Sequence, residues 1–129
     1  MTENNETCVH TYTDAIGKKI TGVSCLEYGS SHVIIELEGG EIEMRHYQDC
    51  CETVQVEDVD GDPSDVIGGV IHAFEKVTED FKQNDWGIYE WTLYRLITSK
   101  GDLTIRWVGS SNGYYSVDVD VDINLTNDN

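Results

Sequence analysis

HVIIELEGGEIEMRHY, residues 32–47, is the stretch that decides the fold. Apolar and polar residues alternate through Val33, Ile35 and Leu37 before a Gly39-Gly40 pair, and through Ile42 and Met44 after it. Successive side chains of a strand point to opposite faces, and glycine accepts the positive φ that a two-residue hairpin loop demands, so the pattern is that of two half-buried strands joined by a tight turn. With Gly39-Gly40 as the loop, Leu37 faces Ile42, Ile35 faces Met44 and Val33 faces His46, which makes His46 a packed histidine at the edge of a core. The same register sets Glu38 opposite Glu41 and Glu36 opposite Glu43 on the other face. Like charges directly across a strand pair cost up to about 1 kcal/mol each. That face is therefore predicted to meet water or a cationic partner.

Outward from the hairpin, KITGVSCLEY (19–28) and ETVQVED (52–58) read as further strands, and PSDVIGG (63–69) as one helical turn with Pro63 in its first position. VIHAFEKVTE (70–79) is extended. IYEWTLYRLITS (88–99) and DLTIRWVG (102–109) form a second hairpin about Lys100-Gly101, and YYSVDVDVDIN (114–124) ends the ordered chain. The expected class is α+β: a mostly antiparallel sheet built from hairpins, with one or two short helices. At 129 residues the chain is one domain. Composition marks residues 1–13 and 124–129 as tails around a domain at 14–123.

In the last strand Asp118, Asp120 and Asp122 share one face, opposite Val117, Val119, Val121 and Ile123, with carboxylates about 6.8 Å apart. Aspartate is a poor strand former, so three in alternation form an unusual comb. The second hairpin carries the opposite sign. With Lys100-Gly101 as its loop, Tyr94 faces Trp107 and Leu96 faces Ile105, while Arg95 lies opposite Arg106 near Trp91 and Leu93. Two facing guanidinium groups repel unless an anion lies between them, either a carboxylate of this chain or a bound phosphate.

Twenty-five Asp and Glu against eight Lys and Arg give a net charge of −17, which disfavours nucleic acid and anionic membranes as direct partners and favours basic surfaces. No apolar run approaches the length of a membrane span. The opening residues show no leader pattern, so a cytoplasmic setting is expected, with Cys8, Cys25, Cys50 and Cys51 as thiols.

Motifs for chemistry fail on context. GSSNG (109–113) matches a nucleophile elbow, but a strand rather than a helix follows and no His lies downstream of Ser111, so it reads as a turn. Asp58, Asp60 and Asp62 resemble a calcium loop, yet Pro63 and Gly69 stand where that loop needs Gly and Glu. His46, Cys50 and Cys51 lack the spacing of a zinc site. No metal, cofactor or enzymatic activity is expected.

At HYQDCCETVQVEDVDGD, YEWTLYRLITSKGDLTIRW and GSSNGYYSVDVD the chain resembles a family of small uncharacterised proteins of bacteriophages and bacteria, known as a domain of unknown function, over roughly residues 20–119. Gln48, Asp49, Cys50, Cys51, Glu52, Gly61, Asp62, Trp91, Thr92, Tyr94, Arg106, Trp107, Ser111, Asn112, Gly113, Tyr114, Tyr115 and Ser116 fill the family's positions. Val117 departs from it, standing where a Glu is usual. The resemblance implies a phage or mobile-element setting, with the host cytoplasm as compartment, and brings no settled activity with it.

Two functions follow as expectations. The first is a non-catalytic binder that antagonises a host defence protein by offering a basic surface the carboxylates of Glu36, Glu38, Glu41, Glu43, Asp118, Asp120 and Asp122 in place of phosphates. The alternative is a pocket of Trp91, Arg95, Arg106, Ser111, Asn112, Tyr114 and Tyr115 that sequesters an anionic nucleotide.

Overall fold

The computed structural model describes residues 9–48, 51–84, 87–112 and 117–126, and the side chains of all of these except 79–84. Among the described residues nine strands follow in chain order: β1 (Val9–Thr11), β2 (Ile20–Ser24), β3 (His32–Leu37), β4 (Gly40–Arg45), β5 (Thr53–Asp60), β6 (Ile71–Asn84), β7 (Gly87–Thr98), β8 (Asp102–Ser111) and β9 (Asp120–Leu125). They form a five-stranded sheet ordered β1-β6-β7-β8-β5 and a four-stranded sheet ordered β2-β3-β4-β9. Every pairing within both sheets is antiparallel.

The alternation seen in the sequence explains the core. Val33, Ile35 and Leu37 of β3 and Ile42 and Met44 of β4 are buried, and so are Val54, Val56, Phe74, Tyr94, Leu96, Leu103, Ile105 and Trp107 of the five-stranded sheet. All belong to one apolar cluster, so the two sheets bury their inner faces in a shared core.

The expected α+β class is corrected to an almost entirely antiparallel β fold with two sheets. What read as a short helix is a single 3-10 turn, Pro63–Asp65, and a second such turn spans Thr13–Ala15. The first begins as a helix should. The Asp62 side chain accepts from the Ser64 backbone N–H at 2.9 Å, and Asp65 accepts from the Asp62 N–H at 3.1 Å. It stops after one turn because Gly68, at φ +94°, redirects the chain. The stretch that follows, β6, stays extended over 14 residues by absorbing two bulges, which reset its alternation.

Both hairpin registers differ from expectation by one position in the turn. Glu38-Gly39, not Gly39-Gly40, makes the first loop, and Leu37 pairs with Gly40, Glu36 with Glu41, Ile35 with Ile42 and Val33 with Met44. Gly39 supplies the positive φ (+84°), while Gly40 lies so close to β9 that a Cβ there would collide with the Asn124 carbonyl oxygen. In the second hairpin Tyr94 pairs with Ile105 and Leu96 with Leu103. There Thr98 Oγ1 donates to Gly101 O at 2.6 Å and accepts from the N–H groups of Lys100 and Gly101, and the Thr98 N–H donates to the Gly101 carbonyl at 3.0 Å, which sets the turn at Ser99-Lys100.

The tail boundaries also move. Val9–Thr11, within the expected N-terminal tail, pairs with β6, and β9 runs past residue 123 to Leu125. Among the described residues no helix is long and apolar enough to cross a membrane. Cys25 is a free, exposed thiol, but Cys51 is disulfide-bonded, with its partner outside the described residues, so the expectation of four thiols is corrected.

Candidate functional site

The two acidic sets of the sequence, some eighty positions apart, meet because β9 adds to the free side of β4. Glu43 pairs with Asp122, Arg45 with Asp120 and Glu41 with Asn124. Directly paired residues share a face, so Glu36, Glu41, Glu43, Asp120 and Asp122 project from the outer face of the four-stranded sheet across three adjacent strands. Glu38 lies in the exposed turn at one end, and Asp118 is exposed just ahead of β9.

One end of this face is partly neutralised. Glu43 meets His32 Nε2 at 2.6 Å and Arg45 Nε at 3.9 Å. Tyr47 donates its hydroxyl to Asp122 at 3.1 Å and its backbone N–H to Asp120 at 3.3 Å, and the Arg45 guanidinium lies 4.5 Å from the Tyr47 ring centre. Glu36 and Glu41, directly opposite each other, have no cation beside them among the described residues. The face is thus most negative around that pair.

Beneath its Tyr47 end lies a buried charge pair. His46, whose side chain is 5% exposed, places Nε2 2.6 Å from Oε2 of the fully buried Glu52 and Nδ1 2.6 Å from the Asp118 carbonyl oxygen. A carbonyl oxygen only accepts, so Nδ1 carries a proton, and a carboxylate facing Nε2 draws a second one there. Burial opposes that charge, but the hydrogen bonds to Glu52 and Asp118 and the nearby Glu52 and Asp120 carboxylates outweigh it and raise the His46 pKa above its ordinary value. Both ring nitrogens of His46 are thus engaged in hydrogen bonds. It works as a clamp holding the end of β4, Glu52 and the residues that lead into β9. Gln48 Nε2 adds a bond to the Glu52 carbonyl at 2.6 Å.

The residues of the expected ligand pocket divide. Arg95 pairs with Thr104 and Arg106 with Leu93, so both arginines stay on the outer face of the five-stranded sheet, one step apart along the strands and not directly opposed. Each faces its own carboxylate, Arg95 with Glu75 at 3.2 Å and Arg106 with Glu57 at 3.3 Å. Trp91 joins them: its indole N–H donates to Glu57 at 3.3 Å, Tyr89 stacks on it at 6.3 Å, and the Arg106 guanidinium lies 5.9 Å from its ring centre. Ser111 ends β8 opposite Ile88, in a strand and not in the expected turn, and Asn112 is exposed beyond it. Tyr114, Tyr115, Asp49 and Cys50 lie outside the described residues, and Asp62 caps the 3-10 turn.

Sequence reasoning missed His32, Arg45 and Tyr47 on the acidic face, and Glu57 and Glu75 beside the arginines. The i, i+2 alternation of Arg45 with Glu43 was the available signal for the first group; the second depends on which strands become neighbours. Among the described residues no group of three or more His, Cys, Asp or Glu is placed to hold a metal ion.

Two antiparallel sheets around one core, with an outer face lined by carboxylates, define an acidic all-β protein. The chain belongs to the family described as domain of unknown function DUF7448, whose model matches residues 13–121. No curated protein and no solved structure matches it.

Proposed function

We propose that this is a non-catalytic binding protein that docks the outer acidic face of its four-stranded sheet on a basic, nucleic-acid-binding surface of another protein and so keeps nucleic acid off it. A phage or mobile element carrying such a protein would use it against a host defence protein. The observation that carries the reading is the meeting of Glu36, Glu41 and Glu43 with Asp120 and Asp122 on adjacent strands, in a chain of net charge −17. Rows of carboxylates on a rigid sheet attract a basic groove at long range and present it with a regular array of acceptors.

The alternative, an anionic nucleotide held by Arg95 and Arg106, is the weaker reading, because both guanidinium groups already face carboxylates.

The test uses the protein as bait in a host lysate, followed by purification of what it captures. The captured protein is expected to bind nucleic acid and to release it on addition of this protein. The Glu41→Gln, Asp120→Asn, Asp122→Asn triple variant should compete poorly at low salt, with a smaller difference at high salt, where screening has already weakened the interaction. Full competition by a folded triple variant would sink the proposal.

A further inference from the structure

Each sheet ends in two edge strands, and a strand edge displays unpaired N–H and C=O groups that folded proteins usually cover or shorten. Three of the four ends here are treated in that way. β5 is covered at its middle, where the loop before β3 bonds Val56, with Gly29 N–H on Val56 O and Val56 N–H on Ser30 O, both at 2.8 Å. β2 is covered at Ile20 by Gly68 and Gly69. β1 has only three residues among the described residues. β9 is different: it spans six residues and, among the described residues, its sole strand neighbour is β4.

The side chains of β9 show what would complete it. Val121 and Ile123, on its inward face, are only half-buried although both pack against the core, and Leu125 is 37% exposed. Asp120, Asp122 and Asn124 occupy the outward face. An added strand would therefore need apolar residues on one side, to cover Val121 and Ile123, and cationic residues on the other, to face the aspartates. A second copy of β9 does not meet that need: antiparallel pairing of the strand with itself, apolar face to apolar face, sets Asp122 on Asp122, on Asp120 or on Asn124, and in no register does it bring a cation to the aspartates, because β9 contains no Lys or Arg.

From this we infer that β9 is a docking edge for an extended segment of a partner protein in which Lys or Arg alternates with apolar residues, added as a fifth strand to the β2-β3-β4-β9 sheet. The inference deepens the function proposed above and rests on it for the charge of the partner.

The probe is a short capped peptide alternating lysine with valine, titrated at low salt into the intact protein. Two control peptides are N-methylated, one at every lysine and the other at every valine. In a strand alternate N–H groups point to opposite edges, so one methylated peptide should bind as the parent does and the other about tenfold more weakly or worse. Amides within 120–125 should gain protection from hydrogen exchange in the complex. The Asp120→Asn, Asp122→Asn variant should bind the parent peptide more weakly. Equal binding by all three peptides, still weakened by that variant, would overturn the docking edge and leave the acidic-face reading standing. Binding indifferent to the two aspartates, or no binding by any peptide, would overturn both.

Discussion

The His46–Glu52 pair shows how one residue can organise a surface without taking part in it. Its charge is buried, both ring nitrogens are engaged, and one of them holds the Asp118 carbonyl at the entry to β9. Breaking a buried pair leaves an uncompensated charge, so Glu52→Gln should cost about 3 kcal/mol of unfolding free energy, measured by urea denaturation near neutral pH. The pH dependence has a fixed sign. The folded pKa of His46 lies above its unfolded value of about 6.5, so the stabilisation is fully present below that pH and is lost as pH rises through the folded value. Urea midpoints should therefore decline on the alkaline side of about 6.5 in the parent, and His46→Gln should flatten that decline. An unchanged profile in the variant would mean that the proton is not stored there. The sequence made His46 a packed residue at the core edge, because the alternation of β4 continues to it. It did not reveal Glu52 as the partner, since residues 46–52 show no periodicity in the sequence. The bonded state of Cys51 was hidden for the same reason.

At the level of strands, the faces were legible and the registers were not, and a single geometric fact accounts for both. Moving a hairpin loop by one residue shifts each cross-strand partner by two positions, so every side chain keeps its face while acquiring a new neighbour. Alternation cannot distinguish the two arrangements; local turn chemistry and tertiary contact decide. In the first hairpin the decision falls to Gly40, which must pass under Asn124 and Leu125 and so belongs in the strand. Gly40→Ala should push β9 away from β4 and cost on the order of 1–3 kcal/mol, with hydrogen exchange speeding up first in 120–125. In the second hairpin Thr98 decides, because its hydroxyl makes three hydrogen bonds across the turn. Thr98→Val keeps the β-branched shape but leaves those backbone groups less satisfied, and should lower the unfolding free energy by about 1–2 kcal/mol in a denaturant titration. The helix expectation failed differently: a capping box and a proline start a turn, and Gly68, at positive φ, ends it before a second can form.

For the molecule as a whole, seventeen excess negative charges are concentrated by the fold as well as carried by the composition. Self-repulsion should make the protein more stable as salt is added, so the thermal midpoint should rise between low and physiological ionic strength, as followed by circular dichroism. Asp120→Asn with Asp122→Asn removes two charges from the acidic face at the cost of exposed bonds to Tyr47. The double variant should melt within a few degrees of the parent and show a smaller salt dependence. A collapse of the midpoint would instead make the aspartates structural members of β9. The comb of Asp118, Asp120 and Asp122 and the glutamates of the first hairpin were each visible in the sequence. Their union was not, because nothing local to either announces that β9 returns to β4.

That return also governs how the protein can be made. Four of the five strands of the larger sheet, β5 to β8, lie between Gly40 and Leu125 in sequence, and so large a closure makes the pairing of β9 with β4 slow and late. While a ribosome is still delivering β9, β4 stands as a bare edge with the borders of Ile42 and Met44 uncovered, although every other strand is already available. The nascent chain is therefore at its most aggregation-prone in the interval before β9 emerges. During that interval the first hairpin carries its glutamates without the aspartates, so the full acidic face arises only once β9 has paired with β4.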